Sequence, residues 1–204
     1  MSSRLRVQVV ASIVVLVFAG GIVLSGDDIN PGWLRFFGAA VFISLLLLNS
    51  WEHFAWRWTV IQRLRSVPTD VSGSWQGTLT SLWRESDGSS LEPKTVFLVV
   101  RQTASTASVV LLSNESKSRS SLAKLDRTAH GFELSYLFVG SPAPRHEDES
   151  RMHRGAALLD VSGRPAKSLE GRYWTDRETR GELKFSERRR EHADSYEAAA
   201  ALFE

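Results

Sequence analysis

The segment LEGRYWTDRETRG, residues 169–181, places an aromatic ring, a hydroxyl and several guanidinium groups within a few positions of one another. Read as a β-strand, it alternates its side chains between two faces, and one face carries Tyr173, Thr175 and Arg177. Such a face suits a base or sugar stacked on Tyr173 and a phosphate held by Arg177. The same alternation is also typical of an ordinary half-solvated antiparallel strand that ends in a charged turn. Spacing alone leaves both interpretations open.

Outward from this segment, the chain from residue 72 to residue 187 has the pattern of a β-protein. Short runs with strand-like alternation are separated by turn residues, and none of them has helical periodicity. We predict eight strands, at about 72–83, 94–102, 106–114, 116–126, 132–140, 153–161, 168–177 and 180–187. Short connections favour antiparallel pairing in sequence order, and closure would remove the exposed edges. The predicted fold is an eight-stranded antiparallel up-and-down β-barrel, with a two-sheet sandwich as the alternative.

The N-terminal part has a different character, because residues 7–24 and 33–51 are two nearly unbroken apolar runs. At 1.5 Å per residue, about 18 residues give roughly 27 Å of helix, close to the ~30 Å of a bilayer core. A signal peptide is disfavoured, since no small-x-small cleavage site follows the first run and a second run comes soon after it. We therefore predict a two-helix transmembrane hairpin over residues 1–58, joined by the turn SGDDINPG, and a linker over residues 59–71.

Basic residues indicate the orientation of this hairpin. Arginines precede the first run and follow the second, whereas the connecting turn carries Asp27 and Asp28 and no lysine or arginine. By the positive-inside rule both termini are expected in the cytoplasm. The barrel is therefore expected on the cytosolic side of the membrane. Trp51, Trp56 and Trp58 fall where an interfacial aromatic belt is expected.

Composition restricts the function. The chain has no cysteine, which excludes disulfides and thiolate chemistry, and its net charge of +2 is too small to indicate a nucleic-acid polymer as a partner. His130 and His153 have no partner at metal-site spacing, and His146 lies in an acidic loop that reads as solvated. No nucleophile elbow, carboxylate pair or glycine-rich phosphate loop is recognisable. We expect no enzyme, no catalytic residue, no metal and no cofactor.

A polar barrel interior is the more informative expectation. Ser116, Ser118 and Ser120 share one face of the fourth strand, where buried hydroxyls would need a ligand or water. A solvent-facing strand is the other interpretation. On the fifth strand, an apolar face that includes Tyr136 must point inward, which brings a phenol into the interior. Trp75 is either a stacking surface or, as is usual for one buried tryptophan, part of the core.

The outer wall and the C-terminal tail carry two further expectations. Residues 96–100 and 109–112 are apolar on both faces, so we expect a membrane surface or a second protomer to cover that wall. The tail, residues 188–204, is expected to form a basic hinge followed by a helix over 191–203. Its end is expected to be frayed and solvated, or to dock on a partner through Tyr196, Leu202 and Phe203.

Taken together, the two N-terminal apolar helices, the serine-rich fourth strand, Tyr136, the sequence His153-x-Gly155 and the segment LEGRYWTDRETRGEL resemble a known family. These are the two-transmembrane, β-strand-rich effectors of bacterial CBASS anti-phage operons, the SMODS-associated membrane effectors. The resemblance covers residues 7 to about 187, and its most specific part is 169–183. It implies a minimal barrel that senses a cyclic dinucleotide made by a partner nucleotidyltransferase. Binding would drive homo-oligomerisation and disruption of the inner membrane, which kills the infected cell.

The resemblance, combined with the strand faces, implies a ligand site. It places the cyclic dinucleotide at Tyr173, Thr175 and Arg177. On the opposite side it places Ser118, Ser120 and Tyr136, with His153 nearby, whereas Arg119 would face outward. The competing hypotheses are a membrane-anchored lipocalin-like carrier of an apolar molecule, with a dry interior, and a purely structural membrane protein with a filled barrel.

Overall fold

A computed structural model describes residues 3–25, 33–64, 66–82, 92–129, 131–142 and 152–204. The chain divides into two units, Met1–Trp58 and Thr59–Glu204. The helices are α1 (Ser3–Ser25), α2 (Trp33–His53), α3 (Thr59–Gln62) and α4 (Tyr196–Ala201), with a 3-10 turn at Ala55–Arg57. The strands are β1 (Gly73–Ser81), β2 (Lys94–Gln102), β3 (Ala107–Leu112), β4 (Ser116–Thr128), β5 (Gly131–Pro142), β6 (His153–Ser162), β7 (Ser168–Thr175) and β8 (Arg180–Arg189).

The first unit consists of α1, α2 and the 3-10 turn. The two helices contact each other, and Ala40 and Ser44 of α2 are fully buried. The Ser44 hydroxyl donates to the Ala40 carbonyl at 2.8 Å. No helix among the described residues combines the length and apolar character needed to cross a membrane. The predicted transmembrane hairpin is thus not confirmed, and its connecting turn, 26–32, lies outside the described residues.

The second unit confirms the predicted barrel. Eight antiparallel strands pair in sequence order, and β1 pairs with β8 to close the sheet. The two-sheet sandwich is therefore wrong. Observed strand ends lie within about two residues of the predicted ends. The loop residues 83–91 and 143–151, which include His146, lie outside the described residues, as does His130.

The two halves of the lumen differ. At the end called upper here, odd-numbered strands finish and even-numbered strands begin, while the chain enters the barrel at the lower end through Val71. Large apolar side chains fill the lower half, among them Trp75, Leu98, Leu134, Leu159 and Phe185, all fully buried. Trp75 donates its indole N–H to the Val71 carbonyl at 2.9 Å, which satisfies its polar group. Trp75 is core rather than a ligand platform.

Arg188 stabilises the lower end of the barrel, where β8 pairs with β1. Its guanidinium donates to the Ser72 carbonyl at 2.9 Å, to the Asp70 carbonyl at 2.9 Å and to the Asp70 carboxylate at 2.8 Å. The guanidinium also lies over the Trp75 ring, 5.4 Å from its centroid. Only 16% of the Arg188 side chain and 19% of the Asp70 side chain is exposed, so water screens this pair weakly.

The apolar outer wall of β2 and β3 is covered by the chain itself, which corrects the expectation of a membrane surface or a second protomer. Phe97 stacks on Phe203 at 5.7 Å and meets Tyr196 edge-on at 5.2 Å. The predicted helix over 191–203 was too long, since α4 begins only at Tyr196. The Ser195 hydroxyl caps α4 by accepting from the Ala198 N–H.

The residues before α4 hold the tail on the barrel through polar contacts. The Ser74 hydroxyl donates to the Glu191 carbonyl at 2.8 Å and accepts from the Ala193 N–H at 3.0 Å. Arg101 pairs with Asp194 at 2.9 Å at the surface. The expectation of a frayed, solvated end is therefore wrong, because the tail makes both apolar contacts and hydrogen bonds with the barrel.

Replacing Arg188 by methionine should lower the free energy of unfolding by about 2–4 kcal/mol, because the Asp70 carboxylate keeps its burial and loses its cation. The free energy of unfolding of Arg188→Lys should lie between those of the wild type and Arg188→Met, since lysine keeps the charge without the planar guanidinium. The measurement is thermal unfolding of the full chain in a neutral detergent, with the exposed Arg190→Met as the matched control. An equal effect at both positions would contradict the role given to Arg188.

Ending the chain after Arg190 should uncover Phe97, Val99 and Leu112. We expect the free energy of unfolding to fall by about 3 kcal/mol, which is roughly 6–12 °C in the melting temperature. Binding of a dye specific for exposed apolar surface should rise in parallel. Removal of Glu204 alone should change neither quantity. A truncated chain with unchanged melting temperature and dye binding would show that the tail does not protect this wall.

Candidate functional site

Strand register brings six of the seven predicted site residues to inward positions in the upper half of the lumen. They lie in three successive rows across neighbouring strands. The first row is Ser118, Gly140 and His153; the second is Ser120, Phe138, Gly155 and Thr175; the third is Ala123, Tyr136, Ala157, Tyr173, Gly181 and Ser81. Hydroxyls, phenols and an imidazole are thus concentrated above an apolar floor.

A β-bulge sets which residues of β4 face inward. Register shifts between Ser120 and Leu122, so that Ser118 and Ser120 point inward above the bulge and Ala123 points inward below it. Ser118 is 6% exposed, which rules out the solvent-facing interpretation of this strand. The Ser120 hydroxyl accepts from the Val109 N–H of β3 at 2.9 Å. Ser120 therefore has a structural contact, while Arg119 points outward as expected.

Tyr136 is the most unusual polar group of the lumen. Its side chain is 4% exposed, and its hydroxyl is buried without a hydrogen-bond partner among the residues that the structure describes. Burial raises the pKa of the Tyr136 phenol above its ordinary value, so the group stays neutral and can donate. A buried hydroxyl without a partner destabilises the empty protein by about 1–3 kcal/mol. A polar group delivered into the upper lumen would remove that penalty.

Tyr173 lies two strands away from Tyr136, on β7, in the same row. Its neighbours across the ladders are Ala157 and Gly181, both small. Burial raises the Tyr173 pKa, and a hydrogen bond with the Ser81 side chain opposes that shift. Tyr173 and Tyr136 thus differ in one important respect, since the Tyr173 hydroxyl has a protein partner.

Three glycines make room for the rings of the site. A Cβ atom on Gly181 would lie 2.6 Å from the Tyr173 ring, and one on Gly155 would lie 2.4 Å from the Phe138 ring. At Gly140 a Cβ would lie 2.4 Å from the imidazole of His153. His153 also meets Phe138 edge-on at 6.2 Å. The sequence analysis named Gly155 only as part of His153-x-Gly155 and missed the packing role of all three glycines, although a glycine inside a strand is a signal of close approach.

Thr175 and Arg177 belong to the rim. The Thr175 and Thr179 hydroxyls are 2.6 Å apart, and the Arg177 N–H donates to the Thr175 hydroxyl at 3.3 Å. β7 ends at Thr175, two residues earlier than predicted, because the Asp176 carboxylate accepts from the Arg154 N–H at 3.1 Å and so fixes a turn. Arg177 is therefore an exposed residue of the β7–β8 turn, not a member of the inward face.

A groove of about 780 Å³ lies outside the lumen, against the outer wall. It runs between the β3–β4 hairpin, β5 and the start of α4, and is lined by Lys117, Arg119 and Tyr196 among others. The Lys117 ammonium donates to the Asp194 carbonyl at 2.6 Å. None of the seven predicted site residues lines this groove. The lumen and the groove are separate candidate surfaces.

Comparison with known proteins identifies the domain. The family described as "Cap15, cyclic dinucleotide receptor domain" matches residues 66–187, a span that contains all seven predicted site residues. A protein of Staphylococcus schleiferi described as "CD-NTase-associated protein 15" is 29% identical over 170 residues, which cover 83% of this chain and 88% of that protein. Both matches confirm the resemblance found in the sequence. The chain belongs to the Cap15 family of cyclic dinucleotide receptor domains.

Proposed function

We propose that this protein is the membrane effector of a bacterial CBASS anti-phage system. Its barrel binds a cyclic dinucleotide made by a partner nucleotidyltransferase, binding drives self-assembly, and the assembled protein disrupts the inner membrane and kills the infected cell. The observation that carries the proposal is the buried, unpartnered hydroxyl of Tyr136 among inward polar residues, in a domain of a cyclic dinucleotide receptor family. Such a hydroxyl favours a polar ligand over an apolar one.

In this proposal different residues of the upper lumen recognise different parts of the ligand. Tyr173 stacks on a base, and the free donor of Tyr136 pairs with a ligand acceptor. The hydroxyl of Ser118 and the imidazole of His153 lie two rows above and supply further hydrogen bonds. The hydroxyls of Ser120 and Thr175 already make hydrogen bonds within the protein, and they bind the ligand through their remaining donor or acceptor positions. Arg177, exposed on the turn, closes over a phosphate from the rim.

The competing functions differ in what they require of the lumen. A carrier of an apolar molecule requires a dry, apolar interior, and a purely structural barrel requires a filled one. The lower half, packed around Trp75 and Leu134, would suit either. The upper half, with Ser118 and Tyr136 buried and inward, supports the polar-ligand proposal.

The membrane part of the proposal is supported by the surface of α1 and α2. Large apolar side chains of these helices are exposed, among them Val15 at 64%, Leu16 at 70%, Val23 at 80%, Phe42 at 67% and Leu45 at 60%. In water such a surface would be an aggregation liability, whereas lipid accommodates it. We place the hairpin in the inner membrane with both termini in the cytoplasm, on the basic residues that flank the apolar runs.

Ligand binding can drive assembly only by favouring the assembled state. The rim offers a physical route, because Arg177 lies in a surface turn while Tyr173, four residues earlier in the chain, reaches into the lumen. A ligand that touches both residues would fix the turn. The free energy of ligand binding would then stabilise one conformation of this surface turn, which a second copy of the protein can contact.

Tyr136→Phe and Tyr173→Phe form a matched pair with opposite expected signs. Removal of the unpartnered Tyr136 hydroxyl should raise the free energy of unfolding of the empty protein by about 1 kcal/mol, while removal of the Tyr173 hydroxyl breaks its Ser81 contact and should lower it. The cyclic dinucleotide should lose about 5–10-fold in affinity with Tyr136→Phe.

Thermal melts of the full chain with a panel of cyclic dinucleotides measure both effects. In the wild type, a ligand at about 100 times its dissociation constant should add roughly 2.7 kcal/mol of stability. An unchanged ligand-induced shift in Tyr136→Phe would remove Tyr136 from the site. No shift with any member of the panel would favour the apolar carrier or the structural barrel.

Tyr173→Ala or Arg177→Glu should abolish assembly driven by the cyclic dinucleotide and leave the barrel folded. The first removes the stacking surface and the second reverses the charge that holds the phosphate. Lys184→Glu, an exposed charge reversal on the outer face of β8, is the matched control and should assemble normally. The measurement is the size distribution in detergent with and without ligand. Full assembly of both site variants would overturn the site assignment.

A further inference from the structure

The lower mouth of the barrel contains a second polar feature that the dinucleotide site does not use. Below Tyr136, most described inward side chains are apolar, and the polar exceptions near the lower end are Gln102, Arg188 and Arg127. In register, Arg127 lies opposite Phe132, which lies opposite Val161. Arg127 therefore lies at the lower mouth, on the inward face and below the apolar part of the lumen. A cavity of about 460 Å³ opens there, and its lining includes Arg127, Phe132, Val161 and Arg164.

A second arginine reaches the same cavity from the β6–β7 turn. The Arg164 guanidinium lies 5.0 Å from the centroid of the Phe132 ring and donates to the Val67 carbonyl. These two contacts fix the plane of the guanidinium and leave other N–H groups for a ligand. Both arginines line this one cavity, and burial together with the positive charge of Arg127 lowers the pKa of Arg164.

The chain segment that leads into the barrel packs on this end. Gln62 donates to the Pro68 carbonyl at 3.0 Å and accepts from the Asp70 N–H at 3.2 Å, which folds the segment into a compact turn. The Ala166 N–H of the β6–β7 turn donates to the Asp70 carbonyl at 3.3 Å. The segment and the turn that carries Arg164 are thus one packed structure. A ligand bound at Arg164 would act directly on the segment joining the barrel to the helices.

We propose that Arg127 and Arg164 form a phosphate-binding site at the lower mouth, separate from the dinucleotide site. Two guanidiniums that line one cavity, one of them over an aromatic ring, match the charge of a phosphate group and can bind its oxygens in a bidentate manner. The phosphate comes from an anionic phospholipid headgroup or from free phosphate, and both sources present the same oxygens. An anion between the two arginines also removes their mutual repulsion.

The test uses the full chain in neutral detergent and two probes, sodium phosphate and short-chain phosphatidylglycerol. Binding is measured for the wild type, for Arg127→Gln with Arg164→Gln, and for the control Arg119→Gln, an outward-facing arginine elsewhere on β4. We expect the double variant to lose at least 10-fold in affinity for one probe and the control to lose none. Binding of the lipid probe alone identifies a headgroup, and binding of phosphate identifies a free anion.

Three outcomes would overturn the proposal: no binding of either probe by the wild type, equal binding by the double variant, or an equal loss in the control. The cyclic dinucleotide serves as an internal reference, because its binding should be unchanged in the double variant. A loss of dinucleotide binding instead of probe binding would assign the two arginines to the dinucleotide site and overturn the separate site. Failure of the proposed receptor function would leave the probe measurements unaffected.

Discussion

Pairing of β1 with β8 is the constraint on which the barrel depends, because it is the pairing of greatest sequence separation and closes the sheet. β1 shifts its register between Gln76 and Gly77, where a Cβ on Gly77 would lie 2.1 Å from the Lys184 carbonyl oxygen. Arg188 then ties β8 to the start of β1 below this shift. Closure therefore combines a glycine that lets the backbones approach with a cation that holds the entering chain.

Closure also explains why polar groups can be buried in so small a domain. The packed lower lumen, with Trp75, Leu98 and Phe185, supplies apolar burial that the polar side chains of the upper rows cannot. The unpartnered hydroxyl of Tyr136 is tolerated because the floor beneath it is already stable. Stability and recognition are thus separated along the barrel axis: one end carries the core, and the other keeps unsatisfied polar groups that a ligand can satisfy.

Much of this arrangement follows from alternation along single strands, and for that reason it was predictable. Period two placed Tyr173, Ser118 and Tyr136 on inward faces once a barrel was inferred. Features that depend on contacts between distant residues were not predictable. The bulge after Ser120 shows only in the pairing with β5, and the turn that removes Arg177 from the strand depends on a bond between Asp176 and β6. Likewise, no local pattern indicates that the tail covers Phe97.

The tail reduces the part of the outer barrel wall that is available for contact between copies of the protein. A contact that excludes water must use a wall that the chain has not already covered, and the tail occupies β2 and β3. On β5 to β7, Leu137, Leu158 and Trp174 point outward and are 40–50% exposed. Trp174 is the chain neighbour of Tyr173, so the two faces of β7 carry the proposed ligand contact and an exposed aromatic ring on consecutive residues. A displacement of β7 by the ligand must therefore move both surfaces together, which gives the proposed coupling of binding to assembly a direct mechanical path.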